Sequence, residues 1–138
     1  MEDLKLAGKR VLVVDDLEQN IDILTQFLKP MHFEIRGVRS GEEALAAVEQ
    51  DPPDVILLDL AMPGMNGFQV CRHLKQSEHT RHIPVIIITG ISDKQANVEA
   101  VEAGADDFLI KPFDRVLLEA PINRSSRIGW RSERSNWS

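Results

Sequence analysis

Four apolar runs in this 138-residue chain each end on a side chain suited to phosphate chemistry. Val11 to Val14 runs into Asp15 and Asp16, and Val55 to Leu58 runs into Asp59. Val85 to Ile88 runs into Thr89, and Phe108 to Ile110 runs into Lys111 and Pro112. Carboxylates crowded together raise one another's pKa unless a cation neutralises them. An oxygen-only donor set with room for water suits Mg2+ or Mn2+, with Asp16 and Asp59 as direct ligands and Asp15 acting through a water. A remaining oxygen of Asp59 is then free to attack phosphorus and form an acyl phosphate. In-line transfer spreads charge over the equatorial oxygens, which the Lys111 ammonium and the Thr89 hydroxyl can meet. Singly, each residue has a plainer explanation: Asp16 as a helix cap, Lys111 as a solvated charge, Thr89 as a strand-end hydroxyl. Four separate strand ends with one consistent chemistry make the set the signal.

To bring those residues together, the runs must lie side by side. They alternate with segments of helical period, the pattern of a βα repeat with a parallel sheet. Ile21, Leu24, Phe27 and Leu28 predict a first helix stopped by Pro30, and Phe33, Ile35 and Val38 a weaker edge strand. Ser40 and Glu43 form a capping box opening a helix that buries Ala44, Leu45 and Val48 and ends at Asp51-Pro52-Pro53. Asn66 caps a third helix with Phe68, Cys71 and Leu74 inward. Ser92 and Gln95 cap a fourth, with Val98 and Val101 inward and Gly104 as its stop. A fifth starts near Asp114, buries Val116, Leu117 and Leu118, and breaks near Ala120 because of Pro121. The expected architecture is α/β, a doubly wound (βα)5 parallel five-stranded sheet of flavodoxin-like order 2-1-3-4-5. Ligands of such sheets sit at the carboxyl ends of the strands.

Residues 1–8 read as an N-terminal extension, 9–120 as the domain, and 121–138 as a polar basic tail, extended or disordered and as readily appended as evolved. Residues 1–114 carry 11 Lys/Arg and 20 Asp/Glu, whereas 115–138 carry 5 Arg and 2 Glu. An acidic body argues against direct nucleic-acid binding. No apolar stretch approaches the roughly eighteen residues of a membrane helix, and Met1 to Arg10 has no signal-peptide core. The single cysteine, Cys71, reads as a buried helix residue and suits a cytoplasmic location.

The chain resembles the receiver domains of bacterial two-component response regulators from about Lys9 to Asp114. The resemblance is carried by Val13-Val14-Asp15-Asp16, by Leu57 to Gly67 (Leu-Leu-Asp-Leu-Ala-Met-Pro-Gly-Met-Asn-Gly), and by Thr89-Gly90. Ala103-Gly104-Ala105-Asp106-Asp107-Phe108 and Lys111-Pro112-Phe113 complete it. It implies that Asp59 accepts a phosphoryl group from a histidine kinase or phosphotransfer protein, and that Asp15, Asp16, Asp59 and the Ala61 carbonyl hold Mg2+. It further implies that Thr89 and Phe108 are a switch pair, that Lys111 contacts the phosphoryl group, and that the Lys111–Pro112 bond is cis. The responding face would be the fourth helix, fifth strand and fifth helix, serving a downstream effector, a covalently linked output domain or a homodimer.

Phe108 lacks the hydroxyl of the tyrosine common at its position, which predicts a readout through packing. Ala61 and Ile91 lie two residues beyond Asp59 and Thr89, and neither can position a water, which predicts slow self-hydrolysis. The chain is expected to assist only its own phosphorylation and dephosphorylation, and not to turn over a foreign substrate. A Mg2+-dependent phosphohydrolase with an Asp nucleophile is the alternative, but it needs a second carboxylate where Ala61 stands. A degenerate receiver serving as a scaffold is the third reading, and the complete five-residue set argues against it. Both a stand-alone receiver and the N-terminal piece of a larger regulator or hybrid kinase fit this sequence.

Overall fold

The structure, a computed structural model, describes residues 8–60, 65–90, 98, 99, 101–111, 118, 121 and 122. Five strands form one sheet: β1 (Arg10–Val14), β2 (Glu34–Val38), β3 (Val55–Asp59), β4 (Val85–Thr89) and β5 (Asp107–Ile110). All neighbours pair in parallel, in the order β2-β1-β3-β4-β5. Between them run α1 (Glu18–Leu28), α2 (Gly41–Gln50) and α3 (Gly67–Gln76). Val98, Glu99, Val101 and Glu102 are helical, as are Leu118, Pro121 and Ile122.

Side chains alternate across a strand, so each central strand feeds two cores. Leu12, Val14, Ile56, Leu58, Val85 and Ile87 pack with Ala44 and Val48 of α2 and Phe68, Cys71 and Leu74 of α3. Val11, Val13, Val55, Leu57, Ile86 and Ile88 pack with Leu24 and Leu28 of α1 and with Leu118 and Ile122. Strands β3 and β4 are buried along their whole length, while β2 is mostly exposed, as an edge should be. Among the described residues no helix is long and apolar enough to cross a membrane.

Local sequence signals explain most boundaries. After α1 the chain tightens into a 3-10 turn, Lys29–Met31, because Pro30 tolerates a first-turn position, and His32 then reverses it at φ 65°. Asn66 and Gln69 form a reciprocal capping box on α3. At α2 only half of the expected box forms. The Ser40 hydroxyl accepts from the Glu43 N–H at 3.1 Å, but the Glu43 carboxylate accepts from Arg39 N–H, one residue earlier. Gly104 ends the fourth helical segment at φ +89°, where a side chain would be strained.

Two expectations need correction. Val98 and Val101 do not point inward; they are 52% and 76% exposed. Their spacing fixes that they share a helix face, but not which face meets the sheet, and Ala103 makes the inward contact instead. Nor is the chain beyond Ala120 extended or disordered from its start, because Pro121 and Ile122 are helical and Ile122 is wholly buried. Burying an isoleucine stabilises by roughly 1.5–3 kcal/mol, enough to offset most of the ~3 kcal/mol that an interior proline costs. Ser92, Gln95, Asp114, Val116 and Leu117, named for the fourth and fifth helices, lie outside the described residues, as does the tail from 123 to 138.

Candidate functional site

Parallel register brings the strand ends together. Asp59 aligns with Ile88, so Leu60 N–H reaches the Ile88 carbonyl at 2.9 Å. Thr89 aligns with Ile110, and Lys111 N–H reaches the Thr89 carbonyl at 2.7 Å. On the other side, Asp15 N–H donates to the carbonyl of Val38 at the end of β2. The carboxyl ends of neighbouring strands therefore lie side by side along one edge of the sheet.

Carboxylate oxygens of Asp15, Asp16 and Asp59 all lie within 4.8 Å of one another. Asp15 and Asp59 are 2% and 6% exposed, and Asp16 is half-buried at the mouth. Asp15 divides its two oxygens. Oδ1 accepts from Leu17 N–H at 3.0 Å and from Asn20 Nδ2 at 3.4 Å, which fixes the turn into α1. Oδ2 lies 3.9 Å from Lys111 Nζ. Lys111 Nζ also donates to Asp59 Oδ1 at 3.3 Å, so one ammonium bridges two acids. Thr89, at the carboxyl end of β4, is buried at 2% exposure.

Burial raises the Asp59 carboxyl above the ordinary carboxylate range, the charge of Asp15 raises it further, and Lys111 draws it partly back. A largely buried cluster of three acids with one compensating ammonium suits a hard divalent cation. The donor set fits such an ion: three carboxylates in reach of one another and no nitrogen or sulfur among the described ligands.

Asp16 is not the cap of α1. Leu17 holds that position without a side-chain bond, so the plainer explanation for Asp16 falls away. Phe108 is half-buried against the core beside Ile87. Ala61, Ile91 and Pro112 lie outside the described residues. Gly67 explains how α3 abuts the site: a Cβ there would stand 2.6 Å from the Asp59 carbonyl and 2.8 Å from Leu60 Cα. The Gly67 N–H instead donates to the Leu60 carbonyl at 3.1 Å.

Sequence reasoning missed Arg39, whose Nε and Nη2 both donate to the Asp16 carbonyl, at 3.2 and 3.0 Å. No motif announced it; only β1–β2 adjacency could have. It passed over Lys75 as well, which donates to the carbonyls of Arg81 and Ile83 and to Asp106, tying α3 to the start of β5. Cys71 is a buried free thiol that burial pushes up to about 11, the environment of an inert core cysteine.

The family model described as the response regulator receiver domain matches residues 11–123. This chain belongs to that family. As a receiver domain it is 46% identical over 118 residues to the response regulator PleD of Caulobacter vibrioides, covering 86% of this chain and 26% of PleD. It is 40% identical over 119 residues to the DNA-binding response regulator MtrA of Mycobacterium tuberculosis, covering 86% of this chain and 51% of MtrA. The chain thus spans about a quarter to a half of these relatives. Among solved structures, the signal receiver domain of a signal transduction histidine kinase from Syntrophus aciditrophicus superposes with a TM-score of 0.82 at 35% identity, covering 87% of this receiver and 91% of that chain.

Proposed function

We propose that this receiver domain accepts a phosphoryl group on Asp59 from a phosphohistidine of a sensor kinase or phosphotransfer protein in the cytoplasm. The observation that carries the reading is the bridge of Lys111 between Asp59 and Asp15 inside a cluster of three acids. An Asp59 oxygen attacks phosphorus in line, the phosphorus–nitrogen bond breaks, and the imidazole leaves. Asp15, Asp16, Asp59 and the Ala61 carbonyl would hold Mg2+ (or Mn2+), which supplies neutralisation of the phosphoryl charge. Lys111 moves its hydrogen bond from the carboxylate to a phosphoryl oxygen. The Thr89 hydroxyl donates to another, and the Phe108 ring follows it inward.

The reaction is with the domain's own side chain, so it stores a state and turns over no foreign substrate. The state is read on the face of the fourth helix, β5 and the fifth helix. Val98, Val101 and Ile110 are exposed apolar side chains on two of those elements, which suits docking of an effector, a linked output domain or a second copy. The greater length of PleD and MtrA favours a covalently linked output. Small or apolar Ala61 and Ile91 leave no side chain to orient an attacking water, so the acyl phosphate is long-lived. Loss of the group within seconds in the isolated domain would contradict that lifetime.

The test of the main reading is incubation with acetyl phosphate or phosphoramidate, with and without Mg2+, followed by intact mass. Wild type should gain one phosphoryl group only with the metal, and Asp59→Asn none. Equal labelling of the variant overturns the assignment.

A further inference from the structure

Of the three acids, Asp16 is held differently. Asp15 is pinned by its own bonds to Leu17 and Asn20, and Asp59 by Lys111 and by the register of β3. Among the described residues nothing hydrogen-bonds the Asp16 carboxylate, so apart from its own rotamer only the backbone, through the Cα–Cβ bond, places it near the other acids. That backbone stands outside the helical ladder, since the first bonds of α1 go to the Leu17 carbonyl. The Asp16 carbonyl is engaged instead by Arg39, through two guanidinium donors on one oxygen. Arg39 is itself fixed: it follows β2 directly, and its N–H is accepted by Glu43 of α2.

We infer that Arg39 is a positioning residue for the metal site, one that aims the Asp16 carboxylate at Asp59 by clamping the Asp16 carbonyl. The inference rests on the proposed function, because it concerns the affinity of the same acids for a divalent cation. Arg39 touches neither the cation nor the phosphoryl group in this scheme. Two physical effects oppose each other at this position. A positive charge near the acids repels Mg2+, but the guanidinium is exposed and screened. Fixing a ligand's backbone lowers the ordering cost of binding, and losing such support typically weakens metal binding about tenfold. Positioning therefore outweighs repulsion, and removing Arg39 weakens Mg2+ binding.

The test is Mg2+ titration by calorimetry of wild type, Arg39→Ala and Arg39→Lys at low and moderate salt, with thermal unfolding as the check on folding. The expected result is a Kd raised about tenfold by Arg39→Ala. Arg39→Lys should give a smaller rise, because an ammonium keeps the charge but cannot offer the same two-donor fork. The ratio to wild type should not change with salt. Unchanged or tighter binding by a folded Arg39→Ala overturns the inference and leaves the proposed function standing. A wild type that binds no Mg2+ overturns both.

Discussion

At the scale of single residues, the site is an electrostatic conflict held in check by one lysine. Burial and the Asp15 charge hold the Asp59 carboxyl above its ordinary value, with Lys111 compensating in part. An acid whose pKa is higher folded than unfolded binds its proton more tightly in the native state. Its ionisation therefore costs stability as pH rises from about 4 through the folded value. Asp59→Asn removes that cost. In chelator-treated buffer the variant should melt above wild type near neutral pH, and the difference should vanish below about pH 4. Equal melting temperatures at neutral pH would show that the carboxylate is not strained. Lys111 also competes with a cation for Asp59 Oδ1. Lys111→Ala should accordingly tighten Mg2+ binding by about 1 kcal/mol, roughly fivefold in Kd, as titration calorimetry would read.

At the scale of elements, the strands were legible because their apolar runs are buried on both faces and end on the site residues. The order of the sheet followed from handedness and burial, and the gathering of Asp15, Asp16, Asp59 and Lys111 followed from that order. Helix faces were less legible. Val98 and Val101 have correct helical spacing yet face solvent, because periodicity carries no sign relative to the sheet. Arg39 was invisible because its contact depends on the close approach of the β2 end to the turn after β1, which no local pattern encodes. The α3 junction gives the sharpest mutational contrast. Gly67→Ala would drive a methyl into the backbone of Asp59 and Leu60, and should cost about 1–3 kcal/mol in urea unfolding. Gly41→Ala meets side-chain atoms, Val70 Cγ2 at 2.7 Å and Met65 Cβ at 3.0 Å, rather than backbone, and should cost less. The reverse ranking would mean that the approach of α3 to Asp59 is not tight.

At the scale of the whole molecule, two cores lie on opposite faces of one sheet, and the second reaches past Pro121. Ile122 shares that core with Val11, Leu28 and Ile88. Ile122→Ala should cost about 2–5 kcal/mol in chemical unfolding, the range for a buried isoleucine, and a chain ending at residue 120 should lose comparable stability. A loss within the ~0.5 kcal/mol scale of surface changes would place Ile122 outside the cooperative unit. The two cores present the strand ends as a fixed rim, so the acids stay close despite their repulsion. The central claim is that this rim makes one particular carboxylate, Asp59, the phosphoryl acceptor. Borohydride reduction of the freshly phosphorylated protein, followed by peptide mapping, tests it directly, because reduction of an aspartyl phosphate leaves homoserine at the acceptor. The expected result is homoserine at position 59 and unmodified aspartate at 15 and 16; homoserine at either of those two, or at none of the three, contradicts it.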